Sequence, residues 1–160
     1  HEVAVHTTTH PNLTKLGRED IIRQVEDDRI KLERLVGYKI IGMAYPCGGE
    51  NNNDFVAEII KNNTPIKYCR TILSTGNFDL QSNLHRFNPT VYHMDIENLF
   101  TLGEKFITLK TDKPQVFYIW GHSYELDIYD NWKMFEEFCK MISGKSDIYY
   151  GTNSEVLLFK

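Results

Sequence analysis

Cysteine is scarce. The chain has three in 160 residues, Cys47, Cys69 and Cys139, widely spaced and without a CxxC pair. An odd count with no close pair excludes a disulfide framework and a cysteine-rich zinc module, and reads as free thiols from a reducing compartment. Long apolar runs are missing as well: none approaches the roughly 20 residues that a membrane-crossing helix needs. There is no basic excess, since 18 Lys and Arg stand against 22 Asp and Glu for a formal charge of −4. That balance, with no basic stripe and no zinc-finger spacing, argues against a nucleic-acid partner or an anionic membrane surface. What remains is an ordinary folding composition, 41% hydrophobic and 25% charged, which sets aside disorder, collagen-like repeats and coiled coil.

Apolar patterning divides the chain into alternating strands and helices. Val3-Ala4-Val5 reads as the end of a buried strand, followed by a polar loop from His6 to Gly17. Residues 18–36 read as a helix, with Ile21, Val25, Leu32 and Leu35/Val36 at helical spacing and Gly37 as its stop. Acidic Glu19 and Asp20 in its first turn, and Lys31 and Arg34 towards its end, suit the helix dipole. Strands are expected over 39–45, 67–73 and 115–120, the last (QVFYIW) being the strongest, with short ones at 148–150 and 155–159. Further helices are expected over 51–61, with Phe55, Ile59 and Ile60 on the apolar side, over 96–109, and over 132–142, with Trp132, Phe135, Phe138 and Cys139 on one side. Residues 75–92 form a long irregular stretch, a length usually tied to function. Strands alternating with amphipathic helices give an α/β fold with a parallel sheet or barrel.

Three polar groups each follow a different expected strand. His6 and His10 lie in HTTTH; a helical turn there would put both imidazoles on one face, within reach of one metal ion. Six histidines in this length give roughly 0.2 such pairs by chance, so the spacing alone decides little against two exposed loop histidines. Tyr45-Pro46-Cys47-Gly48-Gly49 makes a turn whose backbone N–H groups can face an oxyanion, or an ordinary strand-to-helix turn. His122, after Trp120 and Gly121, suits general acid or base work, or a plain hydrogen-bonding role. Ser123, adjacent to His122, makes no triad with it. Side chains converging from the C-terminal ends of several strands are what an α/β barrel site requires.

HTTTHPNL, MAYPCGG and IWGHSYELD, in this order, resemble the polysaccharide deacetylase family (the NodB-homology domain, carbohydrate esterase family 4), in its variant with a YP-x-G turn and a GHSYE ending. The resemblance implies a distorted (β/α) barrel that binds one divalent metal ion, zinc first and cobalt, nickel or iron otherwise, and removes acetyl groups from an acetylated carbohydrate. By position, His6 and His10 match the metal-ligand histidines and His122 the general acid. Cys47 stands at the position whose backbone N–H steadies the oxyanion, where the family usually has Tyr. Tyr45, Pro46 and Gly48 would line the substrate turn, and Trp120 the acetyl pocket. Arg86, in HRF, matches the arginine that supports the catalytic base.

Two departures accompany the match. Ala44 stands where the family often has Arg, and the family's Asp-Asp pair has no counterpart: Glu2 is the single acid among the five residues before His6. A closed (β/α) barrel takes about 250 residues and seldom fewer than 200. The expectation is therefore one deacetylase-like domain over 1–160, N-terminally incomplete, without its first strand and helix, and weak or inactive by itself. An uncovered sheet edge would favour a homo-oligomer. Two alternatives stand beside this reading: a non-catalytic carbohydrate-binding or scaffolding module on the same fold, and a metal-independent hydrolase of cyclic amides.

Overall fold

The computed structural model describes residues 1–158 and divides into two compact units. The first comprises residues 1–71 and 81–87 with the described part of 151–160; the second comprises 72–80 and 88–150.

In the first unit, α1 (Arg18–Val36) has the ends its sequence dictates: Glu19 and Asp20 in the first turn, Arg34 in the last, and Gly37 as a left-handed cap (φ 77°). It buries Ile21 and Val25 completely, whereas Leu35, expected on the apolar face, is 81% exposed. The next strand, β1 (Gly42–Ala44), pairs in parallel with β2 (Tyr68–Arg70), Met43 opposite Cys69. Between them lies α2 (Asp54–Asn63), started by the Asn53 side chain, which accepts the Val56 N–H. Its buried face is Val56, Ala57, Ile59 and Ile60, while Phe55 points outward. Parallel bridges extend the pairing at both edges, Val5 to Met43 and Arg70 to Phe87. The order is thus Val5, β1, β2, Phe87, with Val5, Met43, Cys69 and the buried residues of α1 and α2 in one core.

In the second unit, β3 (Val91–Tyr92) pairs in parallel with β4 (Ile119–Trp120). Three helices accompany them: α3 (Ile96–Thr108), α4 (Ser123–Ile128) and α5 (Trp132–Ile142). The core is Val91, Leu99 and Phe138, with Phe117, Ile119 and Phe135 packed against it. Gly103 lets α3 approach α5 closely, since a Cβ there would lie 2.7 Å from Met141 and 2.8 Å from Phe138. Trp132 and Cys139, expected on the buried side of α5, are exposed.

The α/β alternation is present, and no closed ring of strands occurs among the described residues. Ladders are shorter than the apolar runs because burial and pairing are separate requirements. In 115–120 only Ile119 and Trp120 join a ladder; upstream, Val116 N–H donates to Phe78 and Tyr118 exchanges bonds with Thr90. Residues 148–150 form no strand: the Tyr150 hydroxyl donates to Ile142 O and accepts the Lys145 N–H, closing a turn. The strand expected at 155–159 is replaced by α6 (Asn153–Leu157), whose start Thr152 and Glu155 cap. Phe159 lies outside the described residues.

Candidate functional site

The first unit brings His6, His10 and Cys47 together at the C-terminal ends of its parallel strands. His6 follows Val5 directly, and its backbone N–H donates to Asp28 Oδ2 at 2.9 Å. Its Nδ1 lies 2.8 Å from Ala44 O. A carbonyl can only accept, so Nδ1 carries the proton and Nε2 keeps its lone pair, the tautomer a metal ligand needs. Loss of water around the ring lowers the His6 pKa; the Ala44 carbonyl opposes this, and neighbouring His10 adds to it. The ring is therefore neutral at physiological pH.

The imidazole centroids of His6 and His10 are 4.9 Å apart. Sequence spacing predicted this closeness through a helical turn, but residues 6–10 form no helix. Thr7 (φ 71°) and His10 (φ 56°) are instead left-handed, and that backbone folds the loop back. Gln24 on α1 steadies it, accepting the Thr9 N–H and donating to the Thr9 hydroxyl. The buried Thr7 Oγ1 has no hydrogen-bond partner among the described residues.

Cys47 is left-handed too, at φ 66°. Its N–H, the expected oxyanion donor, points at His10 Nε2 at 3.5 Å, and its Sγ lies 3.8 Å from His10 Nδ1. The turn is held from below by Asn51, a fully buried side chain the sequence reading missed, which donates to Pro46 O and Cys47 O. Pro46 is buried, and Tyr45 is 1% exposed with its hydroxyl donating to His85 O at 2.7 Å. Gly48 is open, with nothing within 4 Å of where a Cβ would sit. Arg86 holds Asn52 and Asp54, at 2.9 and 2.7 Å. Both Glu2 oxygens are engaged elsewhere, by the Tyr68 hydroxyl and the Ser154 N–H.

Two imidazoles can bind one divalent metal ion, but no group of three His, Cys, Asp or Glu suited to a metal occurs among the described residues. Protein zinc sites use three or four such ligands. The set present is incomplete.

The second unit holds Trp120 and His122 beside a cluster the sequence reading did not assign. His122 precedes α4, and its ring stacks on Tyr124 (centroids 5.1 Å, 28°) with Trp120 edge-on at 5.8 Å. Glu125 accepts four hydrogen bonds. Tyr92 donates its hydroxyl to Oε1; His93 Nε2, His122 Nδ1 and the His122 N–H converge on Oε2 at 2.8, 3.1 and 3.0 Å. Burial pushes the Glu125 carboxyl up, but the bonds from Tyr92, His93 and His122 outweigh it and hold the pKa at about 2. Burial, and then the same carboxylate, push the Tyr92 phenol above its usual range. One signal in the sequence pointed to Glu125: it stands three residues after His122, the spacing of a helix-capping acid.

Residues 1–64 match the family model described as polysaccharide deacetylase. No curated protein matches the chain. Among solved structures, a CE4 family pseudoenzyme from Bacillus anthracis is similar, with a TM-score of 0.54 and 19% identity. The likeness covers 98% of this chain and 46% of that one, so the chain spans under half the length of its structural relative. Such a likeness shows a shared fold. The family match covers the stretch that carries the HTTTH and YP-x-G motifs, and the GHSYE motif lies beyond it.

Proposed function

We propose that this chain, whose first 64 residues carry the polysaccharide deacetylase pattern, takes an acetylated carbohydrate on a distorted (β/α) barrel fold, as part of a metal-dependent deacetylase. In this reading His6 and His10 would supply two of the three protein ligands that a catalytic divalent ion needs. The Cys47 N–H would steady the oxyanion, turning to it from His10. Tyr45, Pro46 and Gly48 shape that turn, and Arg86 braces it through Asn52 and Asp54. For His122 and Trp120, in the second unit, the resemblance implies the roles of proton donor and acetyl-pocket wall. The supporting observation is the His6–His10 pair, with the His6 tautomer fixed by Ala44 O.

The same observation limits the chain on its own. Two imidazoles without a third ligand hold a catalytic ion poorly, so this reading makes the isolated chain a binder first and a catalyst weakly or not at all. A non-catalytic carbohydrate-binding module is the second reading, favoured by that two-ligand count and by the pseudoenzyme relative.

The test offers an acetylated chitooligosaccharide to the purified chain with zinc in excess, following both binding and acetate release. The expected outcome is binding that prefers the acetylated oligosaccharide to its deacetylated form, with acetate release at or near background. Brisk zinc-dependent release would overturn the incomplete site. Equal binding of both sugars, or none, would overturn the carbohydrate reading.

A further inference from the structure

We propose that a cavity of the first unit, where the start of α1 meets α2, binds an N-acetylhexosamine unit of a saccharide: Phe55 and Ile59 supply its apolar side, and Arg18, Asp54, Glu58 and Asn62 its polar groups. The cavity shares no lining residue with the His6–His10 pair. The inference rests on the reading of the chain as a binder of acetylated carbohydrate, and gives that binding a second place.

The cavity has a volume of about 380 Å³, within the span of roughly 300–1,000 Å³ usual for small-ligand sites. Phe55 is the second residue of α2, and its spacing groups it with Ile59 and Ile60, yet it is 59% exposed while Ile59 is buried. The two give the cavity an apolar side with an aromatic ring in it, the kind of surface on which the C–H face of a sugar or an acetyl methyl packs. The polar side chains are each anchored and keep capacity to spare. Arg18 Nη2 donates to Asn63 Oδ1 at 2.9 Å, and Asn63 in turn donates to Ile59 O at 2.7 Å. Asn62 Nδ2 donates to Glu58 Oε2 at 3.1 Å, and Arg86 Nη1 to Asp54 Oδ1 at 2.7 Å. A guanidinium has five N–H donors and a carboxylate about four acceptor positions. Donors therefore remain on Arg18, and acceptors on Asp54, Glu58 and the Asn62 carbonyl. Because these side chains are already oriented, a ligand arriving there costs less in lost freedom.

Charge narrows the choice of ligand. Asp54 is paired with Arg86, and Glu58 with Lys61, so a metal cation or a polyamine finds no unbalanced carboxylate. Arg18 is one cation, bonded to a neutral amide, which is too little charge to select a polyanion. What fits is a neutral group that carries a donor, an acceptor and a methyl together, and an acetamido group does so. Its N–H suits a carboxylate oxygen of Asp54 or Glu58, its carbonyl suits Arg18, and its methyl suits Phe55 and Ile59. Ring hydroxyls, each both donor and acceptor, suit the Asn62 amide. A deacetylated amino sugar loses the methyl and the carbonyl, and brings an ammonium to carboxylates that already have cations.

The experiment titrates the whole ¹⁵N-labelled chain, free of zinc, with N-acetylated chitotetraose and follows backbone amide shifts by NMR. Saturable shifts are expected at Phe55, Glu58 and Asn62, with far smaller ones from the deacetylated oligosaccharide. Phe55→Ala is expected to weaken the affinity read there by roughly five- to tenfold. Its thermal midpoint should stay put, since the ring is exposed. His6→Ala is expected to leave the shifts at α2 in place. Shifts confined to the His6 loop and the Cys47 turn overturn the inference and spare the carbohydrate reading, as does wild-type affinity in Phe55→Ala. Shifts at Phe55 that the deacetylated sugar reproduces in full overturn the recognition of an acetamido group.

Discussion

Glu125→Leu is expected to destabilise the protein by roughly 3–5 kcal/mol, because the buried His93 Nε2–H and Tyr92 hydroxyl lose a charged acceptor and gain none. For a chain of this size that lowers the thermal midpoint by about 10 °C, measured by circular dichroism. Glu125→Gln should cost less, since an amide oxygen still accepts one or two of the four bonds. The wild-type carboxyl is held at about 2, against an ordinary value of 4.5. A depressed carboxylate stabilises the fold fully above its unfolded value, and that contribution is lost as pH falls through the folded one. The gap between wild type and Glu125→Gln should therefore be widest above about pH 5 and close progressively towards about pH 2. A gap independent of pH would mean that the charge is not what holds the cluster.

Gly121→Ala is the second large effect, expected at roughly 2–4 kcal/mol with loss of the His93 to Glu125 bond. The added methyl would overlap the His93 ring. That ring cannot swing away freely, being 4% exposed and edge-packed on Phe135 and Tyr92. Gly48→Ala is the matched control: nothing lies within 4 Å of its Cβ, and the change should move the thermal midpoint little. Comparable losses in the two variants would place the effect in the chain's flexibility and not in the crowding at His93.

Much of this organisation was legible in the residues. The ends of α1 and α5 fall at 18–36 and 132–142 as the patterns predict, because end charges and a stop glycine mark α1 locally and apolar spacing marks α5. Strand lengths were not legible. An apolar run such as QVFYIW reports burial, whereas a ladder also needs a partner in register, and Tyr92 and Trp120 are in register for two residues only. The turn into α6 was missed although Thr152 and Glu155 carry a capping pattern, because the apolar residues after them read as a strand. At the site, the closeness of His6 and His10 was anticipated for the wrong geometrical reason: left-handed residues, which side-chain patterning does not reveal, replace the helix. Asn51 and His93 escaped notice because their roles depend on partners distant in sequence. Asn51 acts through the carbonyls of a turn, and His93 through a glutamate 32 residues on.

If His6 and His10 are two ligands of an incomplete metal site, equilibrium dialysis of the purified chain against zinc will find one weakly held ion per chain, lost in His6→Ala and in His10→Ala and retained in Cys47→Ser. Tight retention through exhaustive dialysis, or zinc binding that survives His6→Ala, would contradict it.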